Sequence, residues 1–396
     1  MRIHTLDELT PKGKRVLLRA DLNVPLKDGQ VTDRARLEVL CPTIRELSRA
    51  GARIAICSHL GRPKGQWITA FSLLPVAAAL ADVLGRKVGF VSSCVGSAAE
   101  RAVASLADGE VLVLENTRFD PREEKNDPAM AEDLARLADV YVDDAFSTAH
   151  RAHASTEGVA HKLPAYAGRL MQAELAALEA VLEHPEHPLA AVLGGAKVST
   201  KLELLDNLVR HMDILVLGGA MANTFLAAQG VAVGKSLQEP EMQEKAREII
   251  ARAQQENCEV ILPEDVVVGD HPASDISART VPVDAVPADA MILDLGPATV
   301  RMLIARLAAW RTLVWNGPLG VFETPPFDKA TTDFASAVAS ATEAGHLTSV
   351  AGGGETIAAL RRAGVAGRLT HVSTAGGAFL EWLEGRTLPG VAALEW

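Results

Sequence analysis

The stretch Ala191-Val192-Leu193-Gly194-Gly195-Ala196-Lys197-Val198-Ser199-Thr200-Lys201 decides the fold. Its apolar run reads as a buried parallel strand, and the glycine pair at the end lets a backbone turn come close to a ligand. The unit recurs downstream: Ile214-Leu215-Val216-Leu217 meets Gly218-Gly219, and Val350-Ala351 meets Gly352-Gly353-Gly354. In the first half, similar apolar runs end instead in charged or amide side chains. Val16-Leu17-Leu18 leads to Asp21 and Asn23, and Ile54-Ala55-Ile56-Cys57 leads to His59 and Arg62. Val111-Leu112-Val113-Leu114 leads to Arg118, and Val140-Tyr141-Val142 leads to Asp144, His150, Arg151 and His153. Ligands of open α/β sheets bind just past the carboxyl ends of the strands. One half is therefore read as holding a small anion with side chains, the other as holding phosphates with backbone amides and helix N-termini.

At 396 residues the chain suits two domains of ordinary size. A content of 48% hydrophobic and 22% charged residues is that of a globular protein. The net charge of −11 argues against a nucleic-acid partner, which needs a basic surface. Four scattered cysteines without a CxxC pair fit a reducing compartment. No apolar run approaches a membrane span and no signal-peptide core is evident, so a cytoplasmic protein is expected.

Helical stretches such as Leu73–Leu84 and Pro128–Leu137 alternate with strands in the first half, the signature of a doubly wound sheet. Met171, Leu175, Leu178 and Leu182 form one apolar stripe on a helix over Arg169–His184. It reads as an interdomain connector or as an ordinary surface helix. The division expected is 1–170 with a tail 380–396 packed back on it, a connecting helix 171–187, and a second lobe 188–379.

Several generic motifs fail. No G-x-G-x-x-G occurs, which counts against a dinucleotide-dependent dehydrogenase. Gly230 to Ser236 falls one residue short of a Walker A loop and reads as a turn before a helix. No G-x-S-x-G elbow and no His/Cys metal spacing is present. Lys197 and Lys201 are expected to share one face of the helix that follows Gly194-Gly195, repelling each other unless an anion lies between them. Glu355, in the first turn after Gly352-Gly353-Gly354, reads equally as a favourable N-terminal charge or as a Mg²⁺ ligand. Arg36, His59, Arg62, Arg118 and Arg151 lie at or near successive strand ends. Together they make sense around a multiply charged anion, which guanidinium forks suit.

Read in order, several motifs resemble the phosphoglycerate kinase family. They are Arg19-x-Asp21-x-Asn23-x-Pro25, Ser58-His59-Leu60-Gly61-Arg62-Pro63, Glu115-Asn116-Thr117-Arg118-Phe119, Asp144-Ala145-Phe146 with Ala149-His150-Arg151-Ala152-His153, Gly195-Ala196-Lys197-Val198-Ser199, Trp315-Asn316-Gly317-Pro318 and Gly352-Gly353-Gly354. The resemblance runs from about residue 15 to Gly390. It implies two Rossmann-like doubly wound lobes joined by a hinge helix, with the C-terminal tail returning to the first lobe. It implies phosphoryl transfer between 1,3-bisphosphoglycerate and MgADP, giving 3-phosphoglycerate and MgATP. Nothing in the sequence demands more than a monomer, and a monomer is expected. Phosphoglycerate binding is carried over to Asp21, Asn23, Arg36, His59, Leu60, Gly61, Arg62, Arg118 and Arg151. Nucleotide binding is carried over to Lys201, Asn316, Glu323, Gly353, Gly354, Glu355 and Thr356, with Glu355 also the metal candidate. Arg36, Lys197, Gly376 and Gly377 match the groups around the transferred phosphoryl. A non-catalytic relative that only binds nucleotide or phosphoglycerate is the alternative. Four positions depart from the family pattern: Glu355 for aspartate, Ala375 and Ser147 for glycines, and Asp143 for asparagine.

Overall fold

A computed structural model of the chain describes residues 2–395. It divides into two units, Met1–Leu175 with Thr387–Trp396, and Ala176–Arg386.

In the first unit the strands are β1 (Arg15–Arg19), β2 (Leu26–Lys27), β3 (Gln30–Val31), β4 (Arg53–Cys57), β5 (Gly89–Val91), β6 (Val111–Leu114), β7 (Val140–Asp143) and β8 (Ala165–Ala167). The helices are α1 (Ala35–Arg49), α2 (Leu74–Leu84), α3 (Ser97–Ala104), α4 (Pro128–Ala135) and α5 (Arg169–Leu182), the last running across the division. The sheet is ordered β5-β6-β4-β1-β7-β8 and is parallel throughout, while β2 and β3 form a separate hairpin. Leu17 of β1 pairs with Ala55 on one side and Tyr141 on the other, and all three are buried. Helices on both faces explain why these strands read as unbroken apolar runs. Local signals set the ends: Gly85 closes α2 in the left-handed region, and Asp127 caps α4 ahead of Pro128.

The second unit holds β9 (Leu189–Leu193), β10 (Ile214–Leu217), β11 (Glu259–Ile261), β12 (Asp265–Gly269), β13 (Arg279–Pro282), β14 (Met291–Leu295), β15 (Thr312–Asn316), β16 (Thr348–Gly352) and β17 (His371–Ser373). Its helices are α6 (Leu202–His211), α7 (Gly219–Ala228), α8 (Gln243–Gln255), α9 (Pro297–Leu307), α10 (Lys329–Glu343), α11 (Gly354–Arg362) and α12 (Gly376–Leu383), while α13 (Pro389–Ala392) belongs to the first unit. The parallel sheet is ordered β11-β10-β9-β15-β16-β17. Numbered within the sheet this is 3-2-1-4-5-6, the dinucleotide-fold order, with its switch point between β9 and β15. The first sheet departs from it by placing β6 between β5 and β4. Trp310, Trp315 and Phe334 anchor the second core, with rings meeting edge to face.

The doubly wound reading holds for both units, with two differences in detail. The second unit carries an added antiparallel sheet, β13-β12-β14, which the strand–glycine–helix reading did not anticipate. β12 ends in Gly269 and β14 runs into Gly296-Pro297, so the glycines are present, but the antiparallel pairing of these strands is a long-range contact that a local strand–turn pattern does not specify. On α5, Met171, Leu175 and Leu178 are buried as expected, but Val181 is buried where Leu182 is only half-buried. A spacing of 3.6 residues per turn carries the stripe to Val181.

Candidate active site

The anion crevice of the first unit is built from the loops after β1, β4, β6 and β7 and the first turn of α1. Asp21 and Asn23 lie past β1. Arg36 in α1 donates from Nη1 to Oδ2 of Asp21 at 2.6 Å and to the carbonyl of Asn23 at 3.2 Å. The Asn23 side chain accepts from the backbone of Gly61 at 3.0 Å, so the loops after β1 and β4 share one wall. Asn116 ties in the next loop: it accepts from the amides of Leu60 and Arg118 and donates to the carbonyls of Leu60 and Phe71. Arg118, nearly enclosed, donates to the Gly61 carbonyl at 2.8 Å, and burial pulls its pKa down. Arg62 is exposed and Arg151 half-buried, the latter donating to His150 at 3.1 Å.

Beneath the crevice lies a polar layer to which the sequence reading gave no role. Arg19 is fully buried and donates to Ser155 Oγ and the Ala20 carbonyl. Ser155 in turn donates to Glu123, whose burial raises its pKa against the pull of Arg19. The guanidinium Nη2 lies 3.3 Å from Nδ1 of His59. Arginine can only donate, so Nδ1 must accept and the ring proton sits on Nε2. His59 is neutral: burial and then Arg19, Arg118, Arg151 and His153 hold its pKa well below the usual value. Burial and the same arginines lower His153 to about 3. A cationic wall with neutral imidazoles is an anion site that keeps its hydrogen-bond donors without adding repulsion.

Asp143 and Asp144 face apart, as alternation on a strand requires. Asp143 is fully buried, accepts from the Ala145 amide, and is raised by burial to about 7. Asp144 caps α5 by accepting from the amides of Leu170 and Met171 and is raised by burial to about 6. Ser147, in the turn after β7, donates to Oδ2 of Asp21 at 2.6 Å.

The phosphate side of the second unit lies at the switch point. Lys197 and Lys201 do not share a helical face. Gly195 to Val198 is irregular, Ser199–Lys201 is a 3₁₀ turn, and α6 begins only at Leu202. Glu239 accepts from the Ser199 amide at 3.0 Å and from the Ser199 hydroxyl, tying this turn to a distant loop. Lys197 is exposed on that loop. Lys201 folds back, donating to the Gly194 carbonyl at 2.8 Å and Asn316 Oδ1 at 2.6 Å, and desolvation lowers its pKa to about 8. Asn316, buried at the end of β15, donates to the Gly352 carbonyl, and the Thr356 hydroxyl accepts from the Gly317 amide. Lys201, Asn316, Gly353 and Thr356 are thus brought together.

Two glycines are obligatory here. A Cβ on Gly194 would strike the Pro318 carbonyl, and Gly353 has φ 99° with the Asn316 side chain where a Cβ would go. Gly218-Gly219 opens α7 and Gly353-Gly354 opens α11 as expected. Gly376-Gly377 starts α12, and Ala375 before it sits at φ −89°, so its side chain causes no backbone strain.

Beside these amides is a cleft of about 260 Å³ with walls from Gly219, Leu237, Met291, Leu293, Pro318 and Phe322. Glu323 and Glu355 stand at its lining. An apolar slot adjoining glycine turns and a lysine suits the flat base of a nucleotide. Leu237, on a loop, and Met291 and Leu293, on β14 of the added sheet, belong to no motif that marks them as site residues. Among the described residues no group of three His, Cys, Asp or Glu side chains could cage a metal. A lone exposed carboxylate such as Glu355 suits Mg²⁺, which is commonly held by one or two carboxylates together with substrate phosphates.

Two doubly wound lobes, one with a cationic crevice and one with a glycine-walled nucleotide cleft, are the build of a two-substrate phosphotransferase. A family model described as phosphoglycerate kinase matches residues 6–386. Proteins of that name from Granulibacter bethesdensis and Zymomonas mobilis are 59% and 58% identical over 394 and 396 residues, spanning all of both chains in each case. The structure of phosphoglycerate kinase from Coxiella burnetii superposes with a TM-score of 0.93 at 42% identity, covering 99% of each chain. That of phosphoglycerate kinase from Pyrococcus horikoshii OT3 gives 0.82 at 32%, covering 99% of this chain and 98% of its own. The chain belongs to the phosphoglycerate kinase family.

Proposed function

We propose that the chain moves a phosphoryl group between 1,3-bisphosphoglycerate and ADP, giving 3-phosphoglycerate and ATP, with the first unit holding the glycerate and the second the nucleotide. The observation that carries this division is the contrast between the two strand-end sites: guanidinium groups with neutral imidazoles in one, glycine amides with Lys201 and an apolar slot in the other.

Both acceptors, a carboxylate and a phosphate, are ionised at neutral pH, so no general base is required. Catalysis reduces to positioning and to stabilising charge on the migrating group. Arg36, Arg62, Arg118 and Arg151 bind the phosphate and carboxylate of the glycerate, and His59 offers an Nε2–H. Lys201, held by Asn316, and the amides of Gly353 to Thr356 take the nucleotide phosphates, with Glu323 toward the ribose. Lys197, exposed on its own loop, is free to follow the transferred group, with Arg36 as its counterpart and the amides of Gly376-Gly377 directed at it. Glu355 would hold Mg²⁺ with the nucleotide, and the ion when bound neutralises phosphate charge. Because the substrates bind different sheets, transfer requires closure, for which α5 is our candidate hinge.

A coupled assay with 3-phosphoglycerate and MgATP, with Mg²⁺ titrated, tests the reading. Turnover dependent on both substrates is expected, and binding without turnover would overturn it. No described helix is long and apolar enough to cross a membrane. We place the enzyme in the cytoplasm as a monomer, which fractionation and sedimentation would check.

A further inference from the structure

The carboxylate of Asp21 is held from three sides. Oδ1 accepts from the Asn23 amide at 3.0 Å, while Oδ2 accepts from Arg36 Nη1 and from Ser147 Oγ, each at 2.6 Å. A carboxylate offers about four acceptor positions, so one remains, on Oδ1. The three donors differ in what they can fix. The Asn23 contact is local, two residues along the same loop. The Arg36 side chain is 41% exposed, and an ion pair that open to water restrains its partner weakly.

Ser147 comes from a different strand end. β1 and β7 are adjacent, with Arg19 opposite Asp143, so their outgoing loops meet past the sheet edge. The turn carrying Ser147 is rigid. The Thr148 amide and hydroxyl both donate to the Ala145 carbonyl, the Ala149 amide donates to Phe146, and the Gly390 amide of the returning tail donates to Ala149. A serine on so fixed a support can set the plane of a carboxylate.

We propose that Ser147 is a positioning residue for the glycerate: its hydroxyl orients Asp21 so that the free Oδ1 position meets the C2 hydroxyl of 3-phosphoglycerate. This rests on reading Asp21 as a substrate-binding residue. Ser147 itself does not touch the substrate in this scheme. A fixed acceptor also discriminates, because an analogue lacking the hydroxyl leaves that acceptor unpaired. Ser147 therefore sharpens selection of 3-phosphoglycerate over its 2-deoxy analogue.

The test uses steady-state kinetics of S147A, S147T, D21N and the double variant D21N/S147A with 3-phosphoglycerate and the 2-deoxy analogue. S147A should raise the KM for 3-phosphoglycerate about threefold to tenfold, as expected for lost preorganisation, while kcat and the KM for ATP stay within about twofold. It should narrow discrimination against the deoxy analogue by a similar factor. S147T, which keeps the hydroxyl, should restore most of both. In the D21N background the serine change should add nothing, since its effect passes through Asp21. If D21N raises KM and S147A does not, Ser147 is packing only and the proposal is wrong while the reading of Asp21 survives. If D21N leaves KM unchanged, the reading of Asp21 falls and takes the proposal with it.

Discussion

Lys201 gives the sharpest prediction. Its ammonium is bonded to the Gly194 carbonyl and to Asn316, and desolvation brings its pKa to about 8, with Glu355 opposing the shift. A phosphate arriving there favours the charged lysine, so the pKa in the complex must exceed that in the free protein. Below pH 8 the lysine is already charged and affinity should not depend on this group. Above pH 8 binding must take up a proton. With a free-enzyme pKa of about 8, the penalty factor rises from about 1.1 at pH 7 to about 11 at pH 9. ADP affinity should therefore fall about tenfold over that interval, or ~1.4 kcal/mol. The nucleotide's own phosphate, with a pKa near 6, is already about nine-tenths ionised at pH 7, and its remaining ionisation would raise affinity slightly, so it cannot supply the fall. Calorimetric titration of ADP at pH 7, 8 and 9, in pairs of buffers with different ionisation enthalpies, measures affinity and proton uptake together. Lys201→Met should bind weakly with a flat profile. An affinity constant from pH 7 to 9 with no uptake would refute the account. Stability should move the other way: the folded pKa lies below the unfolded value of 10.5, so the unfolded chain binds more protons and stability rises between pH 8 and 10.5.

Lys197→Ala should lower kcat by about 10²–10³ while the protein stays folded, because the exposed side chain contributes to charge stabilisation and little to packing; a kcat within about twofold of the parent removes it from the mechanism. Asp143→Asn should stabilise the protein at pH 8. The folded pKa of about 7 lies above the ordinary aspartate value of 3.8, so stability is lost as pH rises through that window, and denaturant midpoints should show a gain of about 1–4 kcal/mol at pH 8 that shrinks toward pH 4. A loss at pH 8 would contradict it. His59 should show the neutral Nε2–H tautomer in nitrogen NMR across the range where a free imidazole becomes protonated, and Arg19→Met should move its titration upward, though burial still holds it low; a ring that protonates in the parent like a free imidazole would count against the tautomer.

The chain itself determined the two sheets, the order of their strand-end motifs and the type of chemistry at each. Buried parallel strands must be continuous apolar runs, and a backbone meeting phosphate needs glycine, so both leave a mark in the letters. Gly353 at φ 99° against Asn316 is such a case, as are the arginines past β6 and β7. What the letters could not carry was anything set by distant partners. The two lysines read as one helical face because their spacing is four, yet α6 starts only at Leu202, after a 3₁₀ turn that is tied to Glu239, a residue far along the chain. The polar layer under the crevice joins Arg19, Glu123 and Ser155, which no periodicity links, and it alone fixes the tautomer of His59. The nucleotide slot depends on β14, whose antiparallel pairing with β12 is a contact between distant segments that no local motif records. Side-chain type and backbone need are local properties, whereas desolvation, hydrogen-bond partners and the orientation of a carboxylate arise only when segments far apart in the chain pack together.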